Sequence, residues 1–194
     1  MKGTKMMDDA TAREHVIAAA DALFYARGIQ SVGMDEVRTA AGISLKRMYA
    51  LFPSKDAIIV DVLKGRNATW NEGIALTAAR AANPRDKLLA IYDFLSEWFE
   101  QDNFRGCAFI NSFGELGASS PAIADAARSH KLGFQAYVAD LVSEAGAPAA
   151  LAPQLALLAE GAQTTAAIAG SPDAATHARA AAATLIDAAL PTAA

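Results

Sequence analysis

Apolar residues recur every three or four positions along most of the chain, the spacing of helices that bury one face. Val16, Ala20, Leu23 and Phe24 form one stripe, with Arg13, Glu14, Asp21 and Arg27 on other faces, and Gly28 stops that helix. Met34–Ala41 reads as a short helix with Val37 and Ala41 on one side, closed by Gly42. Ser44 suits the N-cap of a further short helix, Leu45 to Leu51, which Phe52-Pro53 ends because proline lacks the amide a helix interior needs. Ser54 then caps a long helix carrying Ile59, Val62, Leu63, Trp70 and Ile74 to about Ala82. Asn83-Pro84 marks a turn. The next segments predict helices over about Arg85 to Gln101, Cys107 to Leu116, Ser119 to about Ala145, Pro153 to Ala169 and Asp173 to Leu190. The pattern predicts an all-α chain of nine helices, three N-terminal and six behind them.

Composition agrees with that reading. The chain has 194 residues, 53% hydrophobic and 20% charged, and 48 of them are alanine, so helix formers dominate and an extensive sheet is excluded. Mean hydropathy is only +0.18 and the longest uncharged stretch, Ala145–Ala159, is broken by Pro148 and Pro153. Neither a membrane span nor a signal peptide is expected, and the default location is the cytoplasm. One cysteine excludes an internal disulfide framework and a multi-cysteine zinc site. His15, His130 and His177 fall on different helices, so no metal site is expected. No glycine-rich phosphate loop or nucleophile elbow is present, so neither catalytic residues nor a cofactor is expected. Charge is uneven: residues 1–66 carry a net +2 and the remainder −6, as for a nucleic-acid module attached to a non-binding body.

The stretch Asp35-Glu36-Val37-Arg38-Thr39-Ala40-Ala41-Gly42-Ile43-Ser44 has the parts of a helix-turn-helix. Small Ala41 lets two helices cross closely, Gly42 makes the turn, Ile43 pins the pair, and Ser44 starts the second helix. Such a motif lays its second helix in the DNA major groove. With Ala22-Leu23-Phe24, Gly28-Ile29, Tyr49, Phe52 and Ser54-Lys55-Asp56 in order, residues about 13–64 resemble the TetR family of bacterial transcriptional regulators. The resemblance implies an N-terminal helix-turn-helix domain, residues 1–53, and a helical ligand-binding and dimerisation domain, residues 54–194. It implies DNA contacts from Ser44, Lys46 and Arg47 at the front of the recognition helix, from Tyr49 and Lys55 to phosphates, and from the position of Gly33. Arg47 has the donor geometry to read guanine. The chain departs from the family pattern at Gly33, which lacks the usual hydroxyl, and at Lys46, Arg47 and Leu51.

Gly106-Cys107-Ala108-Phe109-Ile110-Asn111 resembles a regulatory segment of some family members, including ones that sense electrophiles. A thiol needs a nearby cation or helix N-terminus to become reactive, and the ordinary role of a lone cysteine is packing. The resemblance also implies an inducer pocket in the middle helices. Trp70, Tyr92, Trp98, Cys107, Asn111, Phe113, His130, Phe134, Gln163 and Thr164 are its candidates, for a small apolar or amphipathic ligand. Leu151, Leu155, Leu158 and Ala162 form a stripe on one late helix, and Ala178, Ala182, Leu185 and Ala189 on the other. Their small residues suit either a homodimer interface through about 153–190 or burial inside the subunit. The expectation is a homodimeric, nucleoid-associated regulator, a repressor that binds a palindromic operator and is released by a small-molecule inducer, electrophiles among the candidates. A helical small-molecule binder without specific DNA binding is the alternative.

Overall fold

The structure, a computed structural model, describes residues 8–190, and among these the chain forms nine helices and no strand. They are α1 (Asp9–Arg27), α2 (Met34–Ala41), α3 (Leu45–Leu51), α4 (Lys55–Ala79), α5 (Pro84–Phe99), α6 (Ala108–Leu116), α7 (Pro121–Glu144), α8 (Leu151–Ala169) and α9 (Asp173–Ala189). Local signals account for most ends. Asp8 caps α1 by accepting the Thr11 amide at 2.9 Å, and Ser44 caps α3 through the Arg47 amide at 3.2 Å. Ser54 accepts the Ala57 amide at 3.2 Å, while Asn83 caps α5 with Pro84 in its first turn.

Several boundaries differ from the sequence pattern. Helix α4 stops at Ala79, where the Arg80 and Ala81 amides tighten onto the carbonyls of Thr77 and Ala78. Helix α5 starts at Pro84 and stops at Phe99. Helix α8 begins at Leu151 and takes Pro153 into its first turn, where a missing amide costs nothing because no intrahelical acceptor exists for it.

The chain forms two compact units. One comprises residues to Arg66 with Ala108–Ala127, and the other Asn67–Cys107 with the residues from Arg128. The divisions fall inside α4 and inside α7. The first unit buries Ala12, Val16, Ala20 and Phe24 of α1 together with Val37, Ala41, Met48, Phe52, Ile58 and Ile59. The second has a continuous core built from Trp70, Leu88, Tyr92, Leu95, Phe134, Val138, Leu155, Ala159, Ala182 and Ile186.

The late-helix stripes lie in that second core. Leu151, Leu155 and Ala162 on α8, and Ala178 and Ala182 on α9, are buried within their own unit, with Leu158, Leu185 and Ala189 packed against the core. Four charged residues occur on these helices, and three of them bind neighbouring helices of the unit: Glu160 pairs with Lys131, Arg179 with Asp93 at 2.6 Å, and Asp187 with Arg85 at 2.6 Å. The outward face of α8 carries Leu157 (71% exposed) and Ile168 (84% exposed).

Candidate nucleic-acid interface and effector region

The recognition geometry starts at Gly42. Its backbone is left-handed, φ 69°, and its amide closes α2 on the carbonyls of Arg38 and Thr39. A side chain would be strained there. The reversal drops Ile43 into the core, its amide on the Arg38 carbonyl at 3.1 Å, and Ser44 starts α3 at once. Met48 is the one fully buried residue of α3; Leu45 is 40% exposed, Tyr49 is 50% exposed, and Lys46 is also exposed. With Met48 buried and Arg47 and Leu51 half-buried, this seven-residue helix still keeps an exposed face, carrying Lys46 and Tyr49, for a partner. At its far end Arg13 of α1 donates to the Leu51 carbonyl at 2.5 Å, stacks over the Phe52 ring at 4.2 Å and pairs with Asp61 at 2.6 Å. This guanidinium cap on α3 has no sequence signal, because nothing local to Arg13 points to residue 51.

The residues expected to contact DNA differ in how freely they are presented. Lys46 is exposed and, among the described residues, has no ion-pair partner. Ser44 is exposed and spends its hydroxyl oxygen on capping. Arg47 is half-buried, with its guanidinium 3.0 Å from Asp9, so reaching a base requires leaving that carboxylate. Gly33 is the exposed N-cap of α2 and donates its amide to Glu36 at 3.1 Å. That bond and the nearby Arg27 hold the Glu36 carboxyl below its ordinary range. Lys55 donates to the carbonyls of Ile29 and Val32, both at 2.6 Å, and lies near the Phe24 ring. Burial lowers its pKa. Lys55 therefore holds the α1–α2 loop, a task the sequence did not reveal.

The effector candidates divide between the units. Trp70 is the centre of an aromatic cluster: Trp98, His130 and Phe134 meet it edge-on at 5.3, 5.7 and 5.8 Å, and Phe94 at 5.1 Å. A cavity of about 260 Å³ opens beside it, lined by Asn67, Trp70, Phe134 and Tyr137 among others. His130 is buried with Nδ1 2.7 Å from Asn67 Oδ1, and desolvation pushes its pKa down to about 4. Tyr92 is buried and donates to the Leu155 carbonyl at 2.9 Å; burial raises its pKa. Gln163 is buried too. Its amide nitrogen donates to Ala159, and its Oε1 has no hydrogen-bond partner among the described residues. Thr164 is exposed and bonds back to the Glu160 carbonyl. Cys107 is buried, its Sγ 3.6 Å from the Lys131 ammonium, which also pairs with Glu160. Lys131 thus stands where a thiolate would need a cation. Asn111 and Phe113, both exposed, belong to the first unit. There Asn111 lines a separate cavity of about 430 Å³ with Asp21, Phe24, Tyr25, Leu63, Arg66 and Glu115.

A glycine turn, a pinned apolar residue and a capped, outward-facing second helix define a helix-turn-helix DNA reader. The family models agree along the chain. "Bacterial regulatory proteins, tetR family" matches residues 16–62, and "Tetracyclin repressor-like, C-terminal domain" matches residues 84–182. The protein belongs to the TetR family and is a transcriptional regulator. Its relatives include the HTH-type transcriptional regulator YjdC of Escherichia coli, 28% identical over 155 residues, 77% of this chain and 80% of that protein. The HTH-type transcriptional repressor NemR of E. coli is 27% identical over 106 residues, 54% of this chain and 53% of that protein. A solved TetR-type transcriptional regulator from Streptomyces avermitilis is 30% identical with a TM-score of 0.79, covering 92% of this chain and 97% of that one. None of the helices among the described residues is long and apolar enough to cross a membrane.

Proposed function

We propose that the protein is a homodimeric repressor that places α3 of each subunit in successive major grooves of a palindromic operator and leaves it when the second unit binds a small apolar or amphipathic ligand. The observation that carries this reading is the exposure of α3, buried only at Met48 while Lys46 and Tyr49 face outward. Residues 1–53 supply the DNA contacts. Lys46 and Tyr49 meet phosphates, and Arg47 reads a base after releasing Asp9. The remainder of the chain, residues 54–194, binds ligand and dimerises. The repressor NemR, a relative, supports the sign of regulation.

The dimer reading rests on α8 and α9. Their buried stripes serve the subunit's own core, so the interface falls to the opposite faces. There Leu157, Gly161, Thr164 and Ile168 of α8, and Ala180, Ala181 and Thr184 of α9, are exposed and uncharged. Small residues let such helices approach closely across a twofold axis. Ile168→Arg should convert dimer to monomer in sedimentation and weaken operator binding, because one half-site alone binds poorly.

The ligand reading rests on the Trp70 cluster with its cavity of about 260 Å³. Electrophiles are a second inducer class, favoured by the Lys131 ammonium beside the Cys107 thiol. Alkylation of Cys107 that releases DNA, and a Cys107→Ser variant that stays bound, would support it; a thiol inert to N-ethylmaleimide in the folded protein would remove it. The repressor reading is tested by selecting bound sequences from random duplexes at near-physiological salt. A palindrome is the expected result. A folded dimer that enriches nothing would favour the ligand binder without specific DNA recognition.

A further inference from the structure

The geometry points to Glu115 as the positioning residue that sets the helix-turn-helix for DNA, an inference that rests on α3 being the reading helix. Glu115 lies on α6, yet each of its carboxylate oxygens accepts a backbone amide of the α1–α2 loop: Ile29 on Oε1 at 3.0 Å and Gln30 on Oε2 at 2.8 Å. Its backbone carbonyl accepts Gln30 Nε2 at 2.9 Å. The carbonyls of the same loop are taken by a cation, since Lys55 donates to Ile29 and Val32. Ile29 therefore has its amide on a carboxylate and its carbonyl on an ammonium. Charge-assisted bonds of this kind are about twice as strong as neutral ones.

The position of this loop sets the positions of α2 and α3. Ile29 and Val32 are buried, Gly33 begins α2, and α2 passes through the Gly42 turn to α3. Displacing the loop therefore displaces the reading helix. Lys55 is close to the motif in sequence and moves with it. Glu115 enters from α6, 85 and 86 residues away in the chain, so it makes DNA affinity depend on where α6 stands. Glu115 also lines the cavity of about 430 Å³, which leaves the carboxylate within reach of a molecule that enters there.

The test compares wild type, Glu115→Gln and Glu115→Ala on the operator selected by the wild-type protein, with Lys46→Ala as the reference for a lost phosphate contact. Glu115→Ala should weaken operator binding about tenfold with an unchanged salt dependence, since the two amides lose a charged acceptor and no DNA contact is removed. Hydrogen exchange at Ile29 and Gln30 should accelerate in the same variant. Glu115→Gln keeps one carbonyl oxygen and should fall between. Should Glu115→Ala prove too unstable to assay, the Gln variant carries both readouts. Wild-type affinity with wild-type exchange in Glu115→Ala overturns the proposal. Tighter binding also overturns it, since the carboxylate would then act only by repelling phosphate. A wild-type protein that selects no sequence removes the DNA-reading function itself, an outcome distinct from a wild type that binds and a Glu115 variant that binds equally well.

Discussion

The two units are held by different means. The first fixes its geometry with individual polar bonds on backbone groups. Arg13 caps the end of α3, Lys55 and Glu115 hold opposite signs of the α1–α2 loop, and Glu36 holds the start of α2. Both units bury an apolar core, but the second relies on shape there and keeps its ion pairs, such as Arg179 with Asp93 and Arg85 with Asp187, between side chains at the surface. Alanines 152, 156, 159, 162, 166, 175, 178 and 182 are buried where α8 and α9 pack, and the larger side chains between helices are Leu155, Ile186 and the rings around Trp70. Directional bonds hold a reading helix at one angle, which recognising a fixed DNA geometry demands. Apolar packing specifies close approach but tolerates changes of the packed residues, which suits a unit that must accommodate an effector.

The contrast predicts where large losses of stability fall. Leu155 is almost fully buried between α8 and its neighbours. Leu155→Ala should cost about 2–5 kcal/mol, read as a lower denaturant midpoint, because the alanine-rich surroundings collapse only partly onto the void. A midpoint shift no larger than that of a surface substitution would break the contrast.

His130 sharpens it next, as a polar group built into the apolar unit. Burial first, and the Lys131 charge second, lower its pKa from 6.5 to about 4. An unfolded chain takes up this proton near pH 6.5, whereas the folded one resists it until about 4. The stability from keeping His130 neutral is thus fully present above that window and is lost as pH falls through it. The loss should reach about 2 kcal/mol by pH 5. Unfolding measured between pH 7.5 and 4.5 checks this, and His130→Gln should flatten the profile.

The helices and the reading motif were legible because their signals are local. Gly42, Ser44 and the spacing of Val37 and Ala41 act within a few residues, so their roles come from the chain order. The partners of Arg13, Arg47, Lys55 and Glu115 were not legible, because each acts on a backbone or side-chain group that only the fold brings near. A lysine after the recognition helix is equally suited to a phosphate and to a pair of carbonyls. The α8 and α9 stripes illustrate another ambiguity. An alanine stripe marks a face that meets another helix at short range, without saying whether that helix belongs to the same subunit. Gly73 was silent for a related reason: a Cβ there would sit 2.5 Å from the Phe94 ring, a close approach visible only once α4 and α5 are packed.

Among the effects on DNA, Lys46→Ala separates surface charge from held geometry. Lys46 is exposed and, among the described residues, forms no ion pair. Removing it should weaken binding to all sequences alike and reduce the salt slope by about 1. An altered sequence preference would instead place Lys46 on a base edge.

The smallest effect concerns Gly33, where the polar unit omits one of its own devices. Glu36 already supplies half of a reciprocal cap by accepting the Gly33 amide, but glycine has no side chain to return to the helix. Gly33 has φ −85° and ψ 158°, an extended conformation that any residue adopts, and an added Cβ would meet only Glu36 Oε1 at 3.9 Å. Gly33→Ser therefore fits without strain. It should raise stability by only a few tenths of a kcal/mol, because glycine is itself a tolerable N-cap. The larger consequence should appear on DNA. A hydroxyl at the exposed start of α2 adds a donor where a phosphate would pass, so operator affinity should rise more than the folding gain explains. A rise confined to the unfolding midpoint, with operator affinity unchanged, would mean that the start of α2 stands away from the DNA backbone in this protein.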